Sequence, residues 1–250
     1  SGIRKTLVKM INESDLGYLG PIPEVGEAFS KYAAKTWQWH VDAHQVKLAT
    51  DVGVAAVEIF RALVKPGDKI IVTSPVYTNF WTWIPEVHAE VLDVPLDRAR
   101  GWRLDVDAID KAFAGGAKVL LLCNPQNPVG TVHTREELTA IAASARKHGA
   151  VVVSDEIHAP MAYPGETFTP YLAVSDEAKQ TGVIVTAASK TFNLAGLKAS
   201  IIVTQSDEVR AKLAKLPEAM HWRSSLIGAF AMAEAFENGD AWLKGTMMTL

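Results

Sequence analysis

The sequence predicts an α/β fold of three layers, in which helices cover both faces of a mainly parallel sheet. Short apolar runs alternate with amphipathic segments along the chain, and this alternation is typical of parallel strands joined by crossover helices. Several runs are apolar throughout, such as Val119 to Cys123 and Val183 to Val185. A strand that is apolar on both sides is expected to be buried on both faces, as in a parallel sheet.

The first half of the chain is predicted to contain three helices and two strands. Helical spacing of apolar residues and Gly/Pro punctuation set their limits, with a turn at Pro66-Gly67-Asp68 between the third helix and the first strand. The expected elements are a helix from Ser1 to Asn12, a turn and helix between Leu16 and Tyr32, a buried helix from Ala49 to Val64, and strands from Lys69 to Thr73 and from Ala89 to Leu96.

The second half continues the alternation of helices and strands. Gly149 is expected to cap a helix, and Asp240 is expected to be the N-cap of a last one. The expected elements are a connector and helix from Trp102 to Phe113, a strand from Val119 to Cys123, a helix from Glu136 to His148, a strand from Ala150 into Asp155, a strand from Val183 to Val185, a strand from Ala199 to Gln205, and helices from Asp207 to Leu216 and Ser224 to Phe236.

Composition limits the classes to which the protein can belong. The 250 residues are 48% hydrophobic, which is enough for a large core and leads us to expect one domain. The net charge of −3 gives no electrostatic footprint for nucleic acid or an anionic membrane. One cysteine fits a reducing compartment, and neither a membrane span nor a signal-peptide core is evident. We therefore expect a cytoplasmic protein.

The segment V-I-V-T-A-A-S-K-T-F-N-L-A-G-L-K carries the first chemical signal. Lys190 follows a buried strand, and ligands of open α/β sheets bind at the carboxyl ends of strands. A partly desolvated lysine can form a Schiff base. Ser189 and Lys198 could hold an anion such as a phosphate in the same segment. A solvated loop lysine is the alternative interpretation.

Two other predicted strands end in polar residues. The strand at Val119 to Cys123 runs into N-P-Q-N-P-V-G, whose prolines and glycine force an irregular loop. The strand after Ala150 ends in S-D-E-I-H, with Asp155 at its end and His158 three residues later. Cys123 is most simply a core thiol. The chain therefore predicts a polar site at the carboxyl edge of the sheet.

These motifs resemble those of a known family over nearly the whole chain. S-K-T-F-N-L-A-G-L-K resembles the lysine motif of the fold-type I pyridoxal-phosphate enzymes, the aspartate aminotransferase superfamily, and N-P-x-N-P-x-G is also characteristic of it. The chain looks most like the MalY/PatB group of cystathionine β-lyase-like C–S lyases, because His158 stands where aminotransferases usually carry a tyrosine. The resemblance implies the large cofactor-binding domain of that fold and pyridoxal 5′-phosphate as cofactor.

The resemblance assigns a role to each candidate residue around the cofactor ring. Lys190 matches the Schiff-base lysine, and Asp155 matches the carboxylate that keeps the pyridine nitrogen protonated. Asn127 and His158 match residues near the phenolic oxygen. Tyr77 matches the aromatic residue that packs on the ring, although a tyrosine covering the core is an alternative.

The resemblance also implies how the phosphate is held. Gly53, Val54 and Ala55 match backbone donors at a helix N-terminus, which is a favourable place for an anion. Ser189 and Lys198 are expected to assist them. Tyr18 matches a residue that crosses a dimer interface to the neighbouring subunit's phosphate, so the resemblance implies a homodimer. An aromatic side chain that anchors a loop is the alternative for Tyr18.

The activity that the resemblance implies is α,β-elimination from a cystathionine-like amino acid. An aminotransferase would use the same residues and is the first alternative. A cofactor-binding or regulatory module without activity is the second. Pro160 departs from the acidic residue of some members, which leaves the substrate open. Family members are longer at both ends, so we expect the start to be cut and the C-terminal small domain to be missing, with its first helix starting near residue 240.

His40 and His44 are four residues apart, which is a metal-ligand spacing on a helix. Val41 lies between them and no third ligand follows nearby, so packing or a surface position is the preferred interpretation. We therefore expect no metal site.

Overall fold

A computed structural model describes residues 2–249 and shows an α/β protein. The described part contains seven strands: β1 (Val46–Ala49), β2 (Lys69–Val72), β3 (Glu90–Asp93), β4 (Val119–Cys123), β5 (Val151–Asp155), β6 (Gly182–Thr186) and β7 (Ser200–Val203). Its α-helices are α1 (Gly2–Asn12), α2 (Pro23–Trp37), α3 (Val52–Leu63), α4 (Phe80–Trp83), α5 (Val106–Ala114), α6 (Arg135–His148), α7 (Asp176–Thr181), α8 (Asp207–Leu213), α9 (Glu218–Trp222), α10 (Leu226–Asn238) and α11 (Asp240–Met247).

The chain divides into two compact units. The first comprises Ser1–Ala55, Thr186–Val203 and Pro217–Leu250, and the second comprises Ala56–Val185 and Thr204–Leu216. The prediction of one domain is not tested by this division and stays a prediction.

The second unit is built on parallel strands. Strand β5 pairs with β4 and with β6, and β2 pairs with β4 and with β3, all in parallel. Every residue of β4, β5 and β6 is buried. The register places Cys123 opposite Asp155 and Asp155 opposite Val185. The carboxyl ends of β4, β5 and β6 therefore lie side by side, as expected for runs that are apolar on both faces.

Local sequence signals set the ends of the helices in this unit. Asp105 caps α5 by accepting a hydrogen bond from the Ala108 amide at 2.9 Å. Thr134 and Glu137 form a capping box at the start of α6, in which each side chain accepts from the other residue's amide. Gly149 ends α6 in the left-handed region with φ 65°, a conformation that glycine adopts without strain.

The first unit is held together by a helix pair and an antiparallel ribbon. Strand β1 pairs antiparallel with β7, with Val46 opposite Val203. Helices α2 and α10 pack through aromatic side chains, and the Phe29 and Phe236 ring centroids are 5.3 Å apart at an edge-to-face angle of 69°. Such a pair contributes about 0.5–1.5 kcal/mol beyond the burial of its area.

The α/β class and the mainly parallel sheet agree with the sequence prediction, but several boundaries differ. Ala49 belongs to β1 rather than to the following helix, which begins at Val52. The strand predicted from Ala89 to Leu96 is only Glu90–Asp93. Gly239, not Asp240, is the N-cap of α11, and Asp240 lies in its first turn. Within the described chain, no helix combines the length and the apolar composition that crossing a membrane requires.

Candidate active site

The N-terminus of α3, in the first unit, carries the three backbone amides that were predicted to hold a phosphate. The Val54 amide donates to Asp51 Oδ1 at 2.8 Å, and the Ala55 amide donates to the Asp51 carbonyl oxygen at 2.9 Å. Of the three predicted phosphate donors, these two are thus already paired within the chain. The Gly53 amide makes no hydrogen bond to the described residues. It is the predicted donor that is available without rearrangement.

Lys198 also contacts Asp51, at the start of α3. Its Nζ lies 3.3 Å from Asp51 Oδ2, and its backbone adopts the left-handed conformation with φ 52°. An amide at a helix N-terminus and an ammonium group therefore converge on one carboxylate. Because a phosphate is also an anion that accepts hydrogen bonds, this donor set has the chemistry to hold one.

Lys190 lies in the turn after β6, as predicted. The turn is closed by backbone hydrogen bonds from Phe192 to Ala188 and from Leu194 to Ser189, both of 2.9 Å. Ser189 is half-buried, and Lys190 is exposed. The Lys190 amine has no hydrogen bond or ion pair with any described residue. A free, accessible amine is suited to attack a carbonyl carbon.

In the second unit, Asp155 and Asn127 are brought to the same strand ends. Asp155 ends β5 and is 5% exposed, and its Oδ1 accepts from the Ile157 amide at 3.1 Å. Cys123 lies opposite Asp155 in the register of β4 and β5. The Asn127 amide donates to Cys123 Sγ at 3.3 Å. Burial raises the pKa of the Cys123 thiol far above its usual range, so the thiol stays protonated.

Tyr77 and His158 follow the ends of β2 and β5. The half-buried Tyr77 ring makes edge contacts with Phe80 and Trp83, at centroid distances of 6.2 and 5.9 Å. His158 is half-buried and precedes a short 3₁₀ turn at Ala159–Met161. Both residues therefore stand at the carboxyl edge of the parallel strands, as predicted.

A buried glutamate that the sequence motifs did not reveal lies beside Asp155. Glu156 is 2% exposed, and its Oε1 accepts from Ser154 Oγ at 3.0 Å and from the Tyr171 amide at 2.8 Å. Burial raises its pKa to about 8, so the side chain is largely protonated at neutral pH. Its only sequence signal is its position after a buried strand.

Gln126 and His133 are two further buried polar residues to which the sequence motifs assign no role. Both are 1% exposed and lie within hydrogen-bond distance of each other. Burial lowers the pKa of His133 to about 4, which makes the ring neutral at pH 7. The only signal for Gln126 is its place inside N-P-Q-N-P-V-G, where the motif allows any residue.

Two remaining predictions concern exposed residues of the first unit. The Tyr18 side chain is fully exposed. His40 and His44 are also exposed. Over residues 2–249, no group of three or more His, Cys, Asp or Glu side chains is placed to hold a metal ion.

Comparison with known proteins gives matches along nearly the whole chain. The model of the aminotransferase class I and II family matches residues 7–247. A Mycobacterium tuberculosis protein, named provisionally as a cystathionine β-lyase, is 38% identical over 99% of this chain and 62% of its own length. Cystathionine β-lyase PatB of Bacillus subtilis is 31% identical over 96% of this chain and 63% of its length.

A solved structure agrees with these relatives. The crystal structure of cystalysin from Treponema denticola, which contains a pyridoxal 5′-phosphate cofactor, superposes with a TM-score of 0.93 at 28% identity. The match covers 99% of this chain and 64% of cystalysin. The chain thus spans less than two thirds of each of these three proteins. The predicted fold class and family resemblance are confirmed, and pyridoxal 5′-phosphate is confirmed as the cofactor at the level of the family.

Proposed function

Because the chain belongs to the aminotransferase class I and II family, we propose that it binds pyridoxal 5′-phosphate and acts as a C–S β-lyase. The substrate class is a cystathionine-like amino acid with sulfur on its β-carbon. The products are a thiol, pyruvate and ammonia, with one water consumed. The observation that carries the proposal is the exposed, unpaired amine of Lys190 in the turn after β6.

The donors of the first unit suit the phosphate. The Gly53 amide is available at the start of α3, and Val54 and Lys198 already hold the Asp51 carboxylate there. A phosphate has more acceptor oxygens than a carboxylate and would draw on the same donors, with Ser189 nearby in sequence. Ala55 contributes as part of the helix terminus, since its own amide is paired within the chain.

The residues of the second unit suit the ring. The buried Asp155 carboxylate can keep a proton on the pyridine nitrogen, and Asn127 can donate to the phenolic oxygen. Tyr77 offers an aromatic face. The protonated cofactor ring supplies the electron sink for the pair left on the substrate's α-carbon. Lys190 Nζ would hold the cofactor, and as a free amine it would take the α-proton of the substrate.

His158 and the relatives favour the lyase over the transferase. In elimination, the bond between the β-carbon and sulfur breaks after the α-proton leaves, and the resulting enamine hydrolyses to pyruvate and ammonia. Two curated relatives that match 99% and 96% of the chain are named for cystathionine β-lyase. An aminotransferase is the second candidate, because the family model covers aminotransferases. That reaction would leave the sulfur attached to the β-carbon and would need a keto acid to take up the amino group.

The test combines labelling with product analysis. The chain is incubated with pyridoxal phosphate, reduced with borohydride and digested, and the labelled peptide is identified by mass. We expect the label on Lys190 in the wild type, none on that peptide in Lys190→Ala, and an unchanged pattern in Lys215→Ala, which removes another exposed lysine. Cystathionine without added keto acid should then yield thiol and pyruvate. Turnover that requires a keto acid and releases no thiol would favour the transferase.

The oligomeric state and location belong to the same proposal. A fully exposed Tyr18 is suited to contact a second copy of the chain. We expect a homodimer in sedimentation experiments and a weaker phosphate affinity in Tyr18→Ala. A monomer with unchanged affinity in the variant would contradict that arrangement. The single buried thiol fits a cytoplasmic location.

A further inference from the structure

The Gln126 side chain joins two loops of the second unit. Its Nε2 lies 2.9 Å from the carbonyl oxygen of Thr73 and 2.8 Å from that of Pro75. These carbonyls belong to the segment between β2 and Tyr77. Both amide hydrogens are therefore used, and the side chain is 1% exposed.

His133 fixes the orientation of that amide. Its Nε2 lies 3.1 Å from the carbonyl oxygen of Cys123 and 3.3 Å from Gln126 Oε1. Both of these atoms are acceptors, so Nε2 must carry the proton and Nδ1 must not. The buried Nδ1 has no hydrogen-bond partner among the described residues. With Oε1 facing His133, the amide nitrogen of Gln126 can only face the two carbonyls.

The main chain of Gln126 shapes the loop that carries Asn127. The Gln126 amide donates to the Thr131 carbonyl at 2.8 Å, and its carbonyl accepts from Gly130 at 2.7 Å. The next residue, Asn127, donates its amide to Cys123 Sγ. One buried residue thus holds the Asn127 loop through its backbone and the approach to Tyr77 through its side chain.

We propose that Gln126, oriented by His133, is a positioning residue that sets the spacing between Asn127 and Tyr77, the residues expected to hold the cofactor ring from two sides. The proposal rests on the proposed function for its ligand and on the contacts above for its geometry. These two hydrogen bonds are costly to lose, because the bond to the Thr73 carbonyl is buried and the bond to the Pro75 carbonyl is partly buried, so water replaces the donor poorly.

Cys123 provides a reporter that does not depend on the cofactor. It is the only cysteine of the chain, it is 3% exposed, and its sulfur contacts the Asn127 amide and the Pro125 carbonyl. Opening of the Asn127 loop would expose this thiol. The rate of its reaction with an aromatic disulfide in native buffer therefore measures how firmly Gln126 holds the loop.

The experiment compares Gln126→Met with Ser144→Ala. The first keeps the length of the side chain but removes its hydrogen bonds. The second removes a hydrogen bond from the nearly buried Ser144 Oγ to Asp110 on another part of the unit, 2.7 Å long. Global stability is measured for each by urea unfolding. We expect Gln126→Met to react about ten-fold faster than Ser144→Ala and to bind pyridoxal phosphate about ten-fold more weakly.

Gln126→Glu is the second variant, in case Gln126→Met does not fold. It keeps the shape but replaces the donor by an acceptor facing two carbonyls, so we expect the same two changes. Equal thiol reactivity and equal affinity in the Gln126 and Ser144 variants would overturn the proposal. If the wild type binds no pyridoxal phosphate, the proposed function fails, whereas the thiol reaction still reports on the Gln126 geometry.

Discussion

The turn that carries Lys190 and the loop that carries Asn127 are built in opposite ways. Around Lys190 the backbone is closed by hydrogen bonds, but the amine itself is exposed and unpaired. Next to Asn127, the Gln126 side chain is buried and donates both of its amide hydrogens. The difference matches the expected tasks, because a nucleophile must be free to form a bond whereas a recognition group must be held still.

The largest expected effect is that of removing the exposed, unpaired amine of Lys190. Lys190→Ala should lower the turnover number with cystathionine by about 10³-fold, since both the base and the attachment point are lost. The unfolding free energy should change by less than about 0.5 kcal/mol, because the exposed amine has no partner to lose. Steady-state kinetics and urea unfolding measure the two quantities. A large loss of stability would show that Lys190 is not the free residue described.

The second prediction concerns the buried Glu156 and the pH dependence of the unfolding free energy. Burial raises the pKa of Glu156 from 4.5 to about 8, so the folded protein retains a proton that the unfolded chain releases. The stability from this proton is complete below about pH 4.5 and is lost as the pH rises through about 8. Glu156→Gln does not titrate. Relative to this variant, the unfolding free energy of the wild type should fall by up to about 1.4 kcal/mol per pH unit between these two pH values.

Urea unfolding of the two proteins at several pH values measures this difference. Gln keeps an acceptor for Ser154 and the Tyr171 amide, so the variant should fold. Parallel stability curves for the two proteins would contradict the buried, protonated state of Glu156.

The third prediction concerns Lys198, the charged residue of the first unit that is expected to bind the phosphate. Lys198→Ala should weaken pyridoxal phosphate binding about ten-fold, because a charged donor to the phosphate is lost. Binding of pyridoxal, which lacks the phosphate, should not change, and Lys198→Arg should retain most of the affinity. Stability should be nearly unaffected, since the exposed pair with Asp51 contributes little. Equal weakening for both ligands would remove Lys198 from the phosphate site.

The smallest expected effect concerns the support of the Lys190 turn. Trp242 donates its indole Nε1–H to the carbonyl oxygen of Thr191 at 3.2 Å. Trp242→Phe removes this hydrogen bond and should lower the unfolding free energy by about 1 kcal/mol. If the turn is held by its backbone alone, urea unfolding would show no change.

The sequence predicted the elements whose signals are local. Strand β4 and helix α6 were recognised from an unbroken apolar run and from a helical pattern that ends at Gly149, and their observed limits agree to within one residue. Strand β1 was not predicted, because it has only four residues and is only partly buried. Its partner is β7, about 150 residues later in the chain. A pairing over that distance leaves no local pattern to read.

The candidate site shows the same contrast between local sequence signals and long-range contacts. Lys190, Asp155 and Asn127 were assigned from motifs, and the structure places each at the end of the predicted strand. Gln126, His133 and Glu156 were not assigned, since their importance comes from what they contact after folding. The carbonyls bound by Gln126 lie about fifty residues earlier in the chain. Only the folded geometry reveals such partners.

The burial of Cys123 has a consequence for the chemistry of the products. A lyase that releases thiols works in a solution of nucleophilic sulfur, where an accessible cysteine would form mixed disulfides with product as it oxidises. The one thiol of this chain is covered by the Asn127 loop and kept protonated by burial. Under the proposed function, the loop that is expected to position the cofactor would therefore also protect the protein from the thiol that it releases.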